Sequence, residues 1–294
     1  MGLDRQPARQ VSRLKSLLMG HTLPEVFGCA HNGYALVCAG NAWADRHVLM
    51  GASDRLYQNW RGCLGGTKIR EEARISLCSE FPFLTEVYNN SLWSVLRRVV
   101  SNKSTDELVS HYRLNERRVG GFSNRLMAQL CGVPSWQRLG VLIAILFSSS
   151  LSLQLHRVWV QKNLALYFEI ACLRPPLSPI WPEFHGFLNS LFECHPNKSI
   201  DKWPLSDYSL GQTIEVLVYI LSLMDWQGWT KESEGSEKGY ELLWQLMDKR
   251  NSEVLTMLMV DSVQGRRMQC PSALRMSVMR ARQLHQRSAL VYRC

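Results

Sequence analysis

Residues 105–126 read TDELVSHYRLNERRVGGFSNRL, and the fold turns on whether they form two short helices across a bend. Leu108, Val109 and Tyr112 have the spacing of one apolar helical stripe. Leu114 and Asn115 then stand where the chain can bend, and Val119 and Phe122 resume an apolar stripe. Two short helices joined by three or four residues make a helix-turn-helix unit, whose second helix presents its first residues to base edges. Asn115, Glu116, Arg117 and Arg118 would form that leading surface, with Arg125 further along. Arginine suits bidentate contact with guanine, and neighbouring cations suit phosphates.

Other residues strain this reading. Arg113 stands where a small residue usually eases the bend, and each of Gly120 and Gly121 weakens a helix by roughly 1 kcal/mol. A second register follows in Leu126–Pro134, with Ala128 and Gly132 spaced as a helix interior and its C-terminal turn and Ser135–Arg138 opening another helix. An ordinary helical hairpin inside a core is the competing expectation.

The charge pattern extends outward from this stretch. Between Arg97 and Arg138, eight cationic residues face only Asp106, Glu107 and Glu116. From Ser262 onward come Arg266, Arg267, Arg275, Arg280, Arg282, Arg287 and Arg293, with no lysine and no carboxylate. This tail accounts for most of the net charge of +9, which suits a polyanionic partner. A helix over Ala273–Leu290 places Leu274, Val278, Ala281, Leu284 and Ala289 near one face and Arg275, Arg282 and Arg293 away from it. Such a helix docks on a core and offers cations to phosphate, or lies on a membrane surface.

The 294 residues suffice for one or two domains with a full core. The nine cysteines are scattered without a CxxC pair and read as free thiols in the cytoplasm. The N-terminus, with Asp4, Arg5, Arg9, Arg13 and Lys15 before residue 20, has no signal-peptide core, so the sequons at Asn89, Asn102 and Asn197 read as chance. Leu139–His156 is the longest uncharged run, but its serines leave it short of a membrane span. It is expected as one central buried helix, and integral membrane association is not expected.

Elsewhere helices are expected over residues 5–19, on both sides of Pro82, over 158–173, 207–226 and 240–247. Val11, Leu14, Leu17 and Leu18 form the first stripe, and Asn89-Asn90-Ser91 offers a cap before the helix carrying Arg97 and Arg98 near its end. Residues 21–66, broken by Gly28, Gly33, Gly40 and Gly51, read as irregular chain with room for a strand or two. The expected fold is mainly α, a multi-helix globular bundle with an irregular, partly β N-terminal region. Three regions are expected: 1–80, a helical 81–174, and 175–294 with the basic tail, the prolines at 175–182 marking the second boundary.

No catalytic group is assigned, because GxSxG, HExxH and dinucleotide-loop patterns are all missing. Gly62–Lys68 has the ingredients of a phosphate loop in the wrong order. Cys29, His31, Cys38, His47 and Cys63 lack paired zinc spacing, and His185 and His195 follow no ligand pattern, so neither metal nor cofactor is assigned. The expected function is binding of DNA or RNA, in regulation or a nucleoprotein assembly. Its residues would be Asn115, Arg117, Arg118, Arg125, Arg97, Arg98, Arg266, Arg267, Arg275 and Arg282, with ten tryptophans available for stacking. The alternative is a non-enzymatic helical scaffold that binds an acidic protein partner.

Overall fold

A computed structural model describes residues 5–51, 56–195, 198–230, 237–248, 251–286 and 290–292. The chain is mainly α and divides into two interleaved units, residues 1–103 with 174–194, and residues 104–173 with 195–294. Among the described residues no helix is long and apolar enough to cross a membrane.

The first unit holds α1 (Arg5–Phe27), α2 (Gly33–Leu49), α3 (Trp60–Cys63), α4 (Glu71–Glu80), α5 (Pro82–Asn89), α6 (Ser91–Val100) and, beyond the proline-rich run, α11 (Trp181–Glu193). The expected stripe of Val11, Leu14, Leu17 and Leu18 is buried on α1. Pro82 starts α5 at the position where a missing N–H costs nothing, and the Asn90 side chain caps α6 by accepting from Leu92 N at 2.9 Å. Residues 21–66 differ from expectation, holding helices among the described residues and no strand. Asn32 caps α2 by accepting from Ala35 N, and Gly40 lets α2 approach the buried Trp60, whose ring atoms would lie 2.4 Å from an added Cβ. The glycine there serves close packing, not chain irregularity.

The second unit begins with α7 (Asp106–His111), the strands β1 (Tyr112–Leu114) and β2 (Arg117–Arg118), α8 (Asn124–Cys131), α9 (Trp136–Phe147) and α10 (Gln154–Ala171). It continues, after the return from the first unit, with α12 (Asp207–Trp226), α13 (Glu237–Leu246), α14 (Ser252–Val263), α15 (Ser272–Gln286) and β3 (Leu290–Tyr292). Its apolar centre includes Leu217, Ile220 and Met224 of α12, Leu242, Leu243 and Leu246 of α13, Leu258 of α14, and Leu274 and Val278 of α15. Burial of such aliphatic side chains contributes roughly 1.5–3 kcal/mol each before conformational entropy is counted.

The uncharged run 139–156 is not one helix. Helix α9 stops at Phe147, and a single 3-10 turn over Leu151–Leu153 leads into α10. Asp106 holds the break, accepting from Ser149 N at 2.9 Å, Ser150 N at 3.2 Å and the hydroxyls of Ser148 and Ser149. Arg157 donates to the carbonyls of Ser148 and Ser150 at 3.0 and 2.6 Å. A carboxylate and a guanidinium thus satisfy backbone groups that a continuous helix would have bonded internally.

Candidate nucleic-acid interface

The organising stretch is a β-hairpin, not a helix-turn-helix. Helix α7 ends at His111, and Leu114 pairs with Arg117 across a two-residue turn. Asn115 and Glu116 both have positive φ, 51° and 66°, the backbone that a right-twisted two-residue hairpin turn demands. From Tyr112 onward the burial period is two: Tyr112 and Leu114 are buried with the half-buried Arg113 between them. Strand β3 pairs with the other edge of β1, giving the order β2-β1-β3. No helix forms over Val119–Phe122 among the described residues, and Gly120 and Gly121 lie in the connection to α8.

The second register does contain two helices, α8 and α9, with Gly132 at φ 61° between them. Residues Leu139 through Leu146 of α9 are all buried, so that helix belongs to the core and has no face for a groove.

The hairpin nevertheless presents the predicted side chains. Asn115, Arg117 and Arg118 are exposed, as is Arg125 on α8. Arg118 stands opposite Arg113. Like charges opposite one another disfavour the pair unless an anion or a carbonyl compensates. Arg113 meets that need partly by donating to the carbonyls of Ser110 and Tyr112.

The basic tail forms the wall of a cleft of about 760 Å³. Arg275 and Arg282 come from α15, Lys238 from α13 and Arg267 from the segment before α15, while Trp229, Leu242, Val278 and Met279 supply apolar lining. That volume lies within the roughly 300–1,000 Å³ of small-molecule sites. Gln227 fixes the Arg267 segment: its amide donates to Arg266 O at 3.0 Å and accepts from Met268 N at 2.7 Å. Trp229 Nε1 donates to Met268 O at 2.9 Å. The Arg267 guanidinium stacks 4.3 Å from the Trp226 ring centroid. Burial raises the Cys270 thiol against the opposing influence of Arg275, so this cysteine stays a thiol.

The predicted arginines therefore separate. Arg267, Arg275 and Arg282 converge on the cleft, but Arg282 also lies 2.6 Å from the buried Glu241 carboxylate. Arg266 pairs with Asp261 at 2.7 Å. Arg97 and Arg98 end α6 in the first unit. Arg287, Ala289 and Arg293 lie outside the described residues, and α15 ends at Gln286, with Leu290 already in a strand. Sequence reasoning missed Lys238 because it sits in an acidic, glycine-bearing segment, where nothing in the local pattern distinguishes it. Among the candidate metal residues, His47 Nε2 lies 3.2 Å from Glu80 and Cys63 is buried. No cluster of three or more potential ligands occurs among the described residues.

No protein-family model matches the chain, and neither the curated proteins nor the solved structures contain a match.

Proposed function

We propose that the protein binds nucleic acid through its second unit, with the cleft as the phosphate-binding surface and the β1–β2 hairpin as the element that meets bases. The observation that carries this reading is the convergence of Lys238, Arg267, Arg275 and Arg282 on one cleft that also contains tryptophan and aliphatic surface. Cations beside an apolar wall fit a ligand that alternates phosphates with flat bases. The β1–β2 hairpin, at one edge of the three-stranded sheet, carries the exposed Asn115, Arg117 and Arg118, side chains that suit base edges in the major groove. The reading places the chain in the cytoplasm, in keeping with eight described cysteines that are all free.

The test is binding of the purified full chain to labelled duplex DNA, single-stranded DNA and structured RNA across a salt series. Arg267→Ala/Arg275→Ala is expected to weaken binding to every form and to lower the salt slope by about 2, one for each phosphate contact. Arg117→Ala/Arg118→Ala is expected to change the preference among ligands. Weak binding, equal for all forms and unchanged in both variants, would remove the proposal.

A second reading, a scaffold for an acidic protein, is favoured by exposed apolar side chains on the packed pair α12 and α14: Val216, Val218 and Tyr219, with Met257, Val260 and Val263. Clustered exposed apolar surface is one mark of contact with another protein. Retention of an acidic protein by the wild type, with no salt-dependent binding of any nucleic acid, would decide for it.

A further inference from the structure

A separate basic pocket lies wholly within the first unit. It has a volume of about 170 Å³ and is lined by Ser12, Lys15, Ser16 and Met19 of α1, Lys68 and Ile69 of the preceding loop to α4, and Arg74, Tyr88 and Arg97. Its four cations come from four different segments: Lys15 from α1, Lys68 from a loop, Arg74 from α4 and Arg97 from α6. Chance clustering on one solvated helix face does not produce this arrangement, because tertiary folding has to carry each charge to the same place.

The folded chain compensates these charges only in part. Glu71 pairs with Arg74, which is three residues away on the same helix. The ring of Tyr88 offers its negative face to two of the four cations, with Lys15 Nζ 3.4 Å and the Arg74 guanidinium carbon 4.1 Å from its centroid. Cation–π contacts of this kind contribute on the order of 0.5–2 kcal/mol each, less than a charge-assisted bond to a doubly charged anion. The remaining repulsion is visible at Lys15, which burial, followed by Arg97, Arg74 and Lys68, pushes down to about 8. Like charges held together at a cost to stability are a recurrent property of sites built for an anion.

We infer that this pocket binds a dianionic phosphoryl group, as inorganic phosphate or the terminus of a small phosphomonoester, held by Lys15, Lys68, Arg74 and Arg97. The volume corresponds to roughly five or six water molecules, enough for a tetrahedral oxyanion with a short substituent and well below the roughly 300 Å³ where drug-sized sites begin. Four cations line the pocket, and even with Glu71 paired to Arg74 this excess favours two negative charges over one, so a phosphodiester is the poorer ligand. The pocket is thus distinguished from a nucleic-acid backbone surface by both size and charge.

The probes are inorganic phosphate, sulfate and dimethyl phosphate, titrated calorimetrically into the full chain in chloride buffer. Phosphate and sulfate are expected to bind saturably and to displace one another, and dimethyl phosphate to bind at least about tenfold more weakly, having lost one charge. Lys15→Met keeps most of the stem volume and removes one cation. It is expected to weaken phosphate binding about tenfold or more while unfolding at the same or a higher temperature without phosphate, since repulsion is relieved. A merely structural Lys15 would instead leave the variant less stable. Arg97→Leu supplies an independent substitution from another helix, with the same expected loss of binding.

Absence of saturable binding by the wild type would overturn the assignment. So would equal binding of dimethyl phosphate, or phosphate binding unchanged in both variants. Nucleic-acid retention is measured on the same samples: retention unchanged in Lys15→Met supports a separate small-anion site, whereas its loss would assign the pocket to the nucleic-acid surface and overturn the inference.

Discussion

Arg282 ties the basic cleft to the stability of the second unit, and its substitution by methionine is expected to destabilise the fold. Arg282 Nε lies 2.6 Å from Glu241 Oε2, and the Glu241 side chain is only 5% exposed against 38% for the arginine. Removing the guanidinium takes the Arg282 bond from a carboxylate buried beside Leu242 and Leu243. Losing one member of a fully buried pair costs about 3–5 kcal/mol, and the exposure of Arg282 admits water to the site and lowers the expected loss to about 2–3 kcal/mol. Adding Glu241→Gln to Arg282→Met removes the buried charge and is expected to restore more than half of that loss. The assay is urea denaturation of the three variants and the wild type, followed by tryptophan fluorescence and circular dichroism. An Arg282→Met unfolding free energy within about 0.5 kcal/mol of wild type would refute the reasoning, because that is the range of an ordinary surface substitution. A double variant no more stable than the single one would refute it too, by showing that the loss did not come from the carboxylate.

Two further outcomes are expected. Glu116→Gly should stabilise the hairpin by about 1 kcal/mol, because Glu116 occupies φ 66° and a residue with a Cβ pays roughly 1–2 kcal/mol there; thermal unfolding checks this, and a destabilised variant would count against a turn held at positive φ. Burial raises the buried Glu169 carboxyl to about 7 against the opposing charge of Lys202, so the folded state prefers it neutral and stability is lost as pH rises through that value. Glu169→Gln should therefore exceed the wild type by about 2–3 kcal/mol at about pH 8 and by much less at about pH 5, and parallel stability profiles for the two proteins would exclude this.

Much of the helical architecture was legible because its signals are local. The stripe of α1, the proline at the start of α5 and the asparagine before α6 each lie within a few residues of the structure they specify. The stretch at 105–126 misled because Leu108, Val109 and Tyr112 satisfy a helical period up to the residue where the chain changes to a strand. Tyr112–Leu114 pairs on one edge with the nearby Arg117–Arg118 and on the other with Leu290–Tyr292, a partner that no local window contains. The break after Phe147 has the same origin, since Asp106 supplies the competing bonds from more than forty positions earlier in the chain. At the candidate sites the arginine-rich tail was legible as composition, whereas its meeting with Lys238 was not. The pocket of the first unit was invisible for the same reason, because Lys15, Lys68, Arg74 and Arg97 share no motif and become neighbours only through packing.

The interleaving of the two units also sets an order of events during synthesis. Residues 1–103 emerge before the helix Trp181–Glu193 that completes their unit, and residues 104–173, which intervene, belong to the other body. Strand β1 likewise emerges long before β3. At roughly 5–20 residues per second, the interval from Leu114 to Leu290 amounts to on the order of ten seconds or more, during which one edge of β1 has no strand to pair with. An open edge is a template for any other extended chain, and the strand that carries this one has Arg113 at its centre. Two copies of that waiting strand would meet with like charge at Arg113, which disfavours their pairing with one another.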